Sequence, residues 1–307
     1  MQWRKLGLVW APSGDLAWAR THAMLPTPMR LNDDVVRVFV TCLDDAGRGR
    51  PAYVDVSARD PTRVVDAARE PLLDVGERGT FDDNGVAALC AVPAGGRRVH
   101  LYYAGFELCT QVRYRIFTGL ALSDDGGGTF RRHARVPVLD RSDDERYFRC
   151  GAFVMRDGGL FRMWYIAGSR WTTVEGRELP VYTLRYLESA DGVQWGATGT
   201  PSMDVSEADE HGFGRPWVIR RAEDDYRMFY SIRSRSRAAY GLGYAESDDG
   251  LTWRREDDAV GLVPTPGAFD AHALMYMSLI EVDGRTYCFY NGDDFGRQGF
   301  GAAELVS

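Results

Sequence analysis

No long apolar run, no block of like charge and no paired-cysteine spacing occurs in this 307-residue sequence, and each absence removes a class of protein. No window approaches the roughly 18 apolar residues of a membrane-spanning helix. Met1 to Trp10 lacks the basic start and apolar stretch of a secretory leader, so a cytoplasmic protein is expected. The five cysteines (Cys42, Cys90, Cys109, Cys150, Cys288) are odd in number and scattered, without CxxC or CxxH spacing. That argues against a disulfide framework and leaves reduced, mostly buried thiols. Cys150 has no base beside it in sequence; a buried thiol is expected there, with a catalytic thiolate as the alternative. Acidic and basic residues are interspersed under a net charge of −7, which points away from nucleic-acid and membrane surfaces and toward a small-molecule partner. Oligomeric state is not legible. Amphipathic stretches of helical period are also missing beyond a turn or two.

What is present is a repeat. A strand ending in paired aromatics recurs as Leu101-Tyr102-Tyr103-Ala104-Gly105, Met163-Trp164-Tyr165-Ile166-Ala167, Met228-Phe229-Tyr230-Ser231-Ile232 and Cys288-Phe289-Tyr290-Asn291-Gly292. Each of the first three is followed by a strand and an Asp-Gly turn: Ser123-Asp124-Asp125-Gly126, Ser189-Ala190-Asp191-Gly192 and Ser247-Asp248-Asp249-Gly250. Asp-Gly supplies the positive-φ residue of a tight turn, and Phe130, Trp195 or Trp253 opens the next strand. These turns resemble the Asp-box of sialidase-like propellers, a backbone-capping device expected at the periphery. Five repeats, each of three or four short strands, predict an all-β, five-bladed β-propeller forming one domain over residues 1–307. The blades fall near 20–75, 80–140, 147–200, 211–262 and 268–307. The last is one strand short, and Gln2–Leu8 is an orphan strand; pairing the two closes the ring and removes an exposed edge.

In a propeller the first strand of each blade lines the central channel. The segments preceding the aromatic pairs are Phe81-Asp82-Asp83-Asn84-Gly85, Phe148-Arg149-Cys150-Gly151, Phe213-Gly214-Arg215-Pro216 and Phe269-Asp270-Ala271-His272, with Thr21-His22-Ala23 in the first repeat. They gather His22, Asp82, Asp83, Arg149, Arg215, Asp270 and His272, a set too polar for ordinary strand starts. Mutual charge neutralisation is the plain alternative. Asp82, Arg149, Arg215, Asp270 and His272 are expected to share one pocket, with Arg149 and Arg215 holding a carboxylate or phosphate. The ligand is then a small anionic molecule. Glu107, Glu210 and Tyr290 are added as candidates, Glu210 with the alternative of a solvated acidic loop; Trp171 and Tyr240 are candidates for stacking on a sugar face. No cofactor is expected, although His22, His211 and His272 with Asp82 or Asp270 offer groups for a divalent metal.

The repeat pattern, the Phe81-Asp82-Asp83-Asn84-Gly85-Val86 segment and the run from Arg59-Asp60-Pro61 through Glu70-Pro71-Leu72-Leu73 resemble the five-bladed glycoside hydrolase superfamily of arabinanases, β-fructosidases and mannoside phosphorylases. That resemblance spans nearly the whole chain and implies a glycoside hydrolase- or phosphorylase-like enzyme, with a small carbohydrate, an anionic sugar or a sugar phosphate as its partner in the central channel. It implies two channel carboxylates, a proton donor and a base or nucleophile, drawn here from Asp82, Asp83, Asp270 and Glu210. This chain departs from the pattern where arabinanases and fructosidases place a first-blade aspartate, having Thr21-His22 instead, and Arg59-Asp60-Pro61 reads as a turn. The departure keeps open a propeller that binds a glycan, or performs another reaction on a sugar-like metabolite.

Overall fold

The structure is a computed structural model that describes residues 1–206, 208–237 and 239–306. It is almost entirely β. Strand β1 (Trp3–Trp10) precedes five antiparallel meanders. The first comprises β2 (Thr21–Arg30), β3 (Val35–Leu43), β4 (Gly49–Ser57) and β5 (Val64–Ala67). The second comprises β6 (Val86–Gly95), β7 (Arg98–Leu108), β8 (Tyr114–Ser123) and β9 (Arg131–Arg132). The third holds β10 (Phe148–Asp157), β11 (Leu160–Val174), β12 (Arg177–Ser189) and β13 (Thr200–Met203), and the fourth β14 (Glu210–Ala222), β15 (Asp225–Ser234), β16 (Gly241–Ser247) and β17 (Arg254–Arg255). The fifth has β18 (Met275–Val282), β19 (Arg285–Asn291) and β20 (Phe300–Leu305), and β1 pairs antiparallel with β20 as its fourth strand. The orphan strand of the sequence thus satisfies the last edge, Trp3 opposite Leu305 and Leu8 opposite Gly301.

The paired aromatics follow from this packing. Successive residues of a strand point to opposite faces, and a sheet covered on both sides buries both of them. Tyr102 and Tyr103, Trp164 and Tyr165, Phe229 and Tyr230, and Phe289 and Tyr290 are all buried at 2 % exposure or less. In the second and third meanders the first residue of the pair stitches one meander to the next: Tyr102 Oη donates to the Gly192 carbonyl (2.6 Å) and Trp164 Nε1 to the Gly250 carbonyl (2.7 Å). Arg37, in the first meander, donates likewise to Gly127 O (2.6 Å). The acceptors belong to the Asp-Gly turns, which hold their own shape: Asp125, Asp191 and Asp249 each accept a serine hydroxyl and at least two backbone N–H groups. Those hydrogen bonds hold all three carboxyls below the ordinary carboxylate range.

The first full strands of the meanders, β2, β6, β10, β14 and β18, touch in cyclic order: β2 meets β6, β6 meets β10, β10 meets β14, β14 meets β18, and β18 returns to β2. Single parallel bridges, Phe117 with Arg149 and Tyr182 with Gly212, join the second, third and fourth meanders. The inner strands therefore enclose an axis.

Candidate functional site

On that axis lies Arg215. Its guanidinium, 2 % exposed, donates from Nη1 to Leu25 O (3.3 Å), Thr27 Oγ1 (2.7 Å) and Leu89 O (3.2 Å), and from Nη2 to Pro26 O (3.0 Å) and Tyr276 O (3.0 Å). The acceptors come from β2, β6 and β18, Arg215 itself from β14. A Cβ added at Gly151 of β10 would lie 3.8 Å from the Arg215 Cα. All five inner strands meet at this residue, which closes the channel. Burial without a carboxylate partner pulls its pKa down to about 10, still charged at neutral pH.

Near the starts of the inner strands lies a cluster of aromatic side chains, from buried Phe148 and Tyr182 to exposed Phe295, and this end of the axis is called the mouth. Phe106 packs on Tyr114 and Tyr114 on Phe148, at 6.3 and 6.1 Å between ring centres; Phe148 meets Tyr182 at 5.3 Å and Trp171 at 5.6 Å. On the other side Tyr240 packs against Tyr276 and Phe295, both at 5.6 Å. Non-glycine residues with left-handed backbone gather here: His22 (φ 65°), Leu25 (57°), Tyr276 (56°), Asp294 (51°) and Phe295 (59°). Such residues cost on the order of 1–3 kcal/mol each and persist where the surroundings over-determine them, which is commonly at functional sites. A buried polar atom also goes without a partner: His211 Nδ1 has no hydrogen-bond partner among the described residues, while the Tyr182 hydroxyl faces that of Tyr114. Burial, Arg233 and Arg235 lower the His211 pKa to about 4, so its imidazole is neutral at pH 7.

The sequence-predicted carboxylates lie elsewhere. Each of four meanders contains a lock in which the second aromatic of the pair donates its hydroxyl to a carboxylate that also faces a cation, the carboxylate being buried in three of them and part-exposed at Asp257. Tyr103 donates to Asp82 (3.2 Å), which pairs with Arg132 (2.8 Å) and accepts from Thr80 Oγ1 (2.9 Å). Tyr165 donates to Glu145 (2.7 Å), which pairs with Arg149 (2.5 Å) and Arg185 (3.5 Å). Tyr230 donates to Asp257 (2.6 Å), beside Arg255, which also forks onto Glu210 at 2.5 and 2.8 Å. Tyr290 donates to Asp270 (3.1 Å), paired with Lys5 of β1. Asp82, Glu145 and Asp270 are 1 %, 0 % and 1 % exposed.

The expectation of one pocket shared by Asp82, Arg149, Arg215, Asp270 and His272 is therefore corrected. Asp82 and Asp270 are committed within different meanders, Arg149 neutralises Glu145 and donates to Asp140 O (2.7 Å), and Arg215 uses its fork on carbonyls. The Nη groups of both arginines are committed to protein acceptors, and only buried Nε atoms go without a hydrogen bond, so the two present no fork to an anion. His272 is exposed, with Nδ1 2.7 Å from Asp293. Asp83 accepts from the Gly79 N–H (2.8 Å) in its own turn, and Glu107 reaches Arg115 only at 4.0 Å. Glu210 begins β14 instead of sitting in a solvated loop, because Arg255 draws it in. His22 rests Nδ1 on Thr21 Oγ1 (2.8 Å), and burial and Arg297 lower its pKa. Among the described residues no three of these His and Asp side chains converge on one point. Sequence reasoning found Tyr240 and Trp171 at the rim but missed Arg233, Glu145, Asp257 and Asp294. Arg233 lies three residues past Tyr230, an offset filled by Phe106, Gly168 and Asp293 in the other repeats, so comparing the repeats beyond their aromatic pairs was the available signal.

No family model matches the chain. It is 36% identical over 305 residues, 99% of both chains, to the uncharacterised protein Rv1502 of Mycobacterium tuberculosis (strain ATCC 25618 / H37Rv). Among solved structures it is similar to a BT0996–RGII complex, with TM-score 0.73, 20% identity and coverage of 99% of this chain and 91% of that one. It is also similar to a thermostable family-43 glycoside hydrolase (TM-score 0.68, 15% identity, 95% and 92% covered). A third is the β-1,2-mannobiose phosphorylase from Listeria innocua in complex with β-1,2-mannobiose (TM-score 0.69, 9% identity, 96% of both chains). The chain belongs to the protein family of Rv1502, and its fold is that of the propeller glycoside hydrolases and mannoside phosphorylases.

Proposed function

We propose that residues 1–307 form a single five-bladed propeller that takes a small carbohydrate at the mouth of its channel, above Arg215. The observation carrying this is the gathering of five left-handed residues, His22, Leu25, Tyr276, Asp294 and Phe295, beside a rim of aromatic faces. Aromatic faces stack on sugar rings, and a partnerless polar atom such as His211 Nδ1 offers a site for a hydroxyl group. The mannobiose and RGII complexes of proteins with this fold support a saccharide as the ligand class. A thermal-shift panel of mono- and disaccharides on the purified chain tests the reading. At least one sugar should raise Tm in a saturable way, and the rise should vanish in Tyr240→Ala. A flat panel refutes it.

A second reading is a glycosidase-like enzyme, favoured by the carboxylates left at the mouth. Asp294 is exposed on the rim beside His22, and Glu107 is half-exposed near the mouth end of β7 with only a distant cation. Acting as proton donor and base, such a pair needs a separation of about 5–10 Å across the bound glycoside. Nitrophenyl glycosides, assayed with and without phosphate, test this. Asp294→Asn and Glu107→Gln should each lower turnover by about 10²-fold or more. Unchanged turnover in both variants removes these residues from catalysis.

A further inference from the structure

Arg233 differs from the arginines of the locks. It lies on β15 opposite Gly212, at the mouth end of the strand, with its guanidinium carbon 5.1 Å from the centre of the Tyr182 ring. Gly212 makes the approach possible, since a Cβ there would stand 3.2 Å from that ring. Among the described residues no carboxylate and no hydrogen-bond acceptor is paired with Arg233, whereas Arg149, Arg185, Arg220, Arg227 and Arg255 each face an acidic side chain. Burial opposes its charge, and the titratable groups that surround it are the tyrosines Tyr240, Tyr182, Tyr114 and Tyr276. The Tyr182 ring face supports the cation, and no hydrogen bond among the described residues commits its N–H edge.

A planar guanidinium with a free edge matches a carboxylate or a phosphate through two parallel hydrogen bonds. Independent observations beside it point the same way. Nδ1 of His211, on the neighbouring strand, is buried and without a hydrogen-bond partner among the described residues. The acidic groups nearby are engaged: Glu210 by Arg255, and Asp209 by the backbone and hydroxyl of Ser236 at 2.8 and 2.7 Å. We propose that Arg233 is the anion-recognising residue of the mouth, and that the carbohydrate bound there carries a carboxylate or phosphate substituent. This rests on the mouth being a saccharide site and adds its charge.

Calorimetric titration of the full chain tests it. D-glucuronate, D-galacturonate and D-glucose 6-phosphate are compared with neutral D-glucose and D-galactose, and with inorganic phosphate alone. At least one charged sugar should bind at least 10-fold tighter than its neutral parent. Arg233→Met should weaken that sugar by about 10- to 100-fold, leaving any neutral-sugar binding and Tm nearly unchanged. Arg233→Lys, which keeps the charge and loses the fork, should fall between and guards against misfolding of the methionine variant. Charge-blind binding, or a preference that survives Arg233→Met, overturns the anion assignment while leaving the saccharide site standing. Inorganic phosphate binding as tightly as the best charged sugar overturns the sugar-borne anion. Failure of every sugar, neutral and charged, overturns both readings.

Discussion

Replacing Asp82 by Asn separates a lock from a catalytic group. Asp82 is 1 % exposed and accepts from Tyr103 Oη (3.2 Å), Thr80 Oγ1 (2.9 Å) and Arg132 Nε (2.8 Å). The amide keeps one acceptor oxygen but turns N–H₂ toward groups that are themselves donors. Removing one partner of a buried ion pair costs about 3–5 kcal/mol. The Arg132 side chain is 25% exposed, so water recovers part of its charge and the expected cost falls to about 2–4 kcal/mol. For a chain of this length that is a fall in Tm of roughly 3–6 °C. Differential scanning calorimetry and sugar titration are run on the same sample. The variant should lose stability and keep its affinity for any sugar the wild type binds. An unchanged Tm with lost turnover or binding would refute the lock and return Asp82 to the site.

Arg215→Met removes the donor that five acceptors share and should destabilise by about 3–5 kcal/mol in urea unfolding; a loss below about 1 kcal/mol contradicts the floor. His211 has a native pKa of about 4 against an ordinary 6.5, so between those values the unfolded state binds more protons and stability falls as pH drops. The full shift corresponds to at most about 3 kcal/mol, and His211→Gln should flatten that part of the stability–pH curve relative to wild type. Asp191→Ala should cost about 1–3 kcal/mol by releasing the turn whose Gly192 carbonyl holds Tyr102, without altering sugar binding.

The scaffold was legible because its signals are local. Paired aromatics alternate faces, Asp-Gly turns cap themselves, and the orphan strand Gln2–Leu8 had one open edge to join. The site was less legible because a strand start does not say which way its side chain leaves. Asp82 and Asp270 occupy the expected positions, yet their side chains turn into the sheet packing, where a tyrosine hydroxyl and a cation compensate them. The cations, Arg132 and Lys5, lie 50 and 265 residues away in sequence, which no local pattern reports. Arg149 was read as a free fork for want of its partner Glu145, which stands at a different offset from the aromatic pair than Asp82 does. Arg233 became visible only when Tyr114, Tyr182, Tyr240 and Tyr276, from four meanders, were brought to one mouth.

The central claim is that the ligand sits at the mouth, between the aromatic rim and the Arg215 floor, and not among the blade carboxylates. A crystal structure of the chain with its tightest-binding sugar tests this most directly. The account predicts density for the sugar against Tyr240, Tyr276 and Phe295, with a charged substituent on the Arg233 guanidinium. Density in the cleft of about 380 Å³ formed by Glu77, Asp82, Arg132 and His133, with the mouth holding only water, would contradict it.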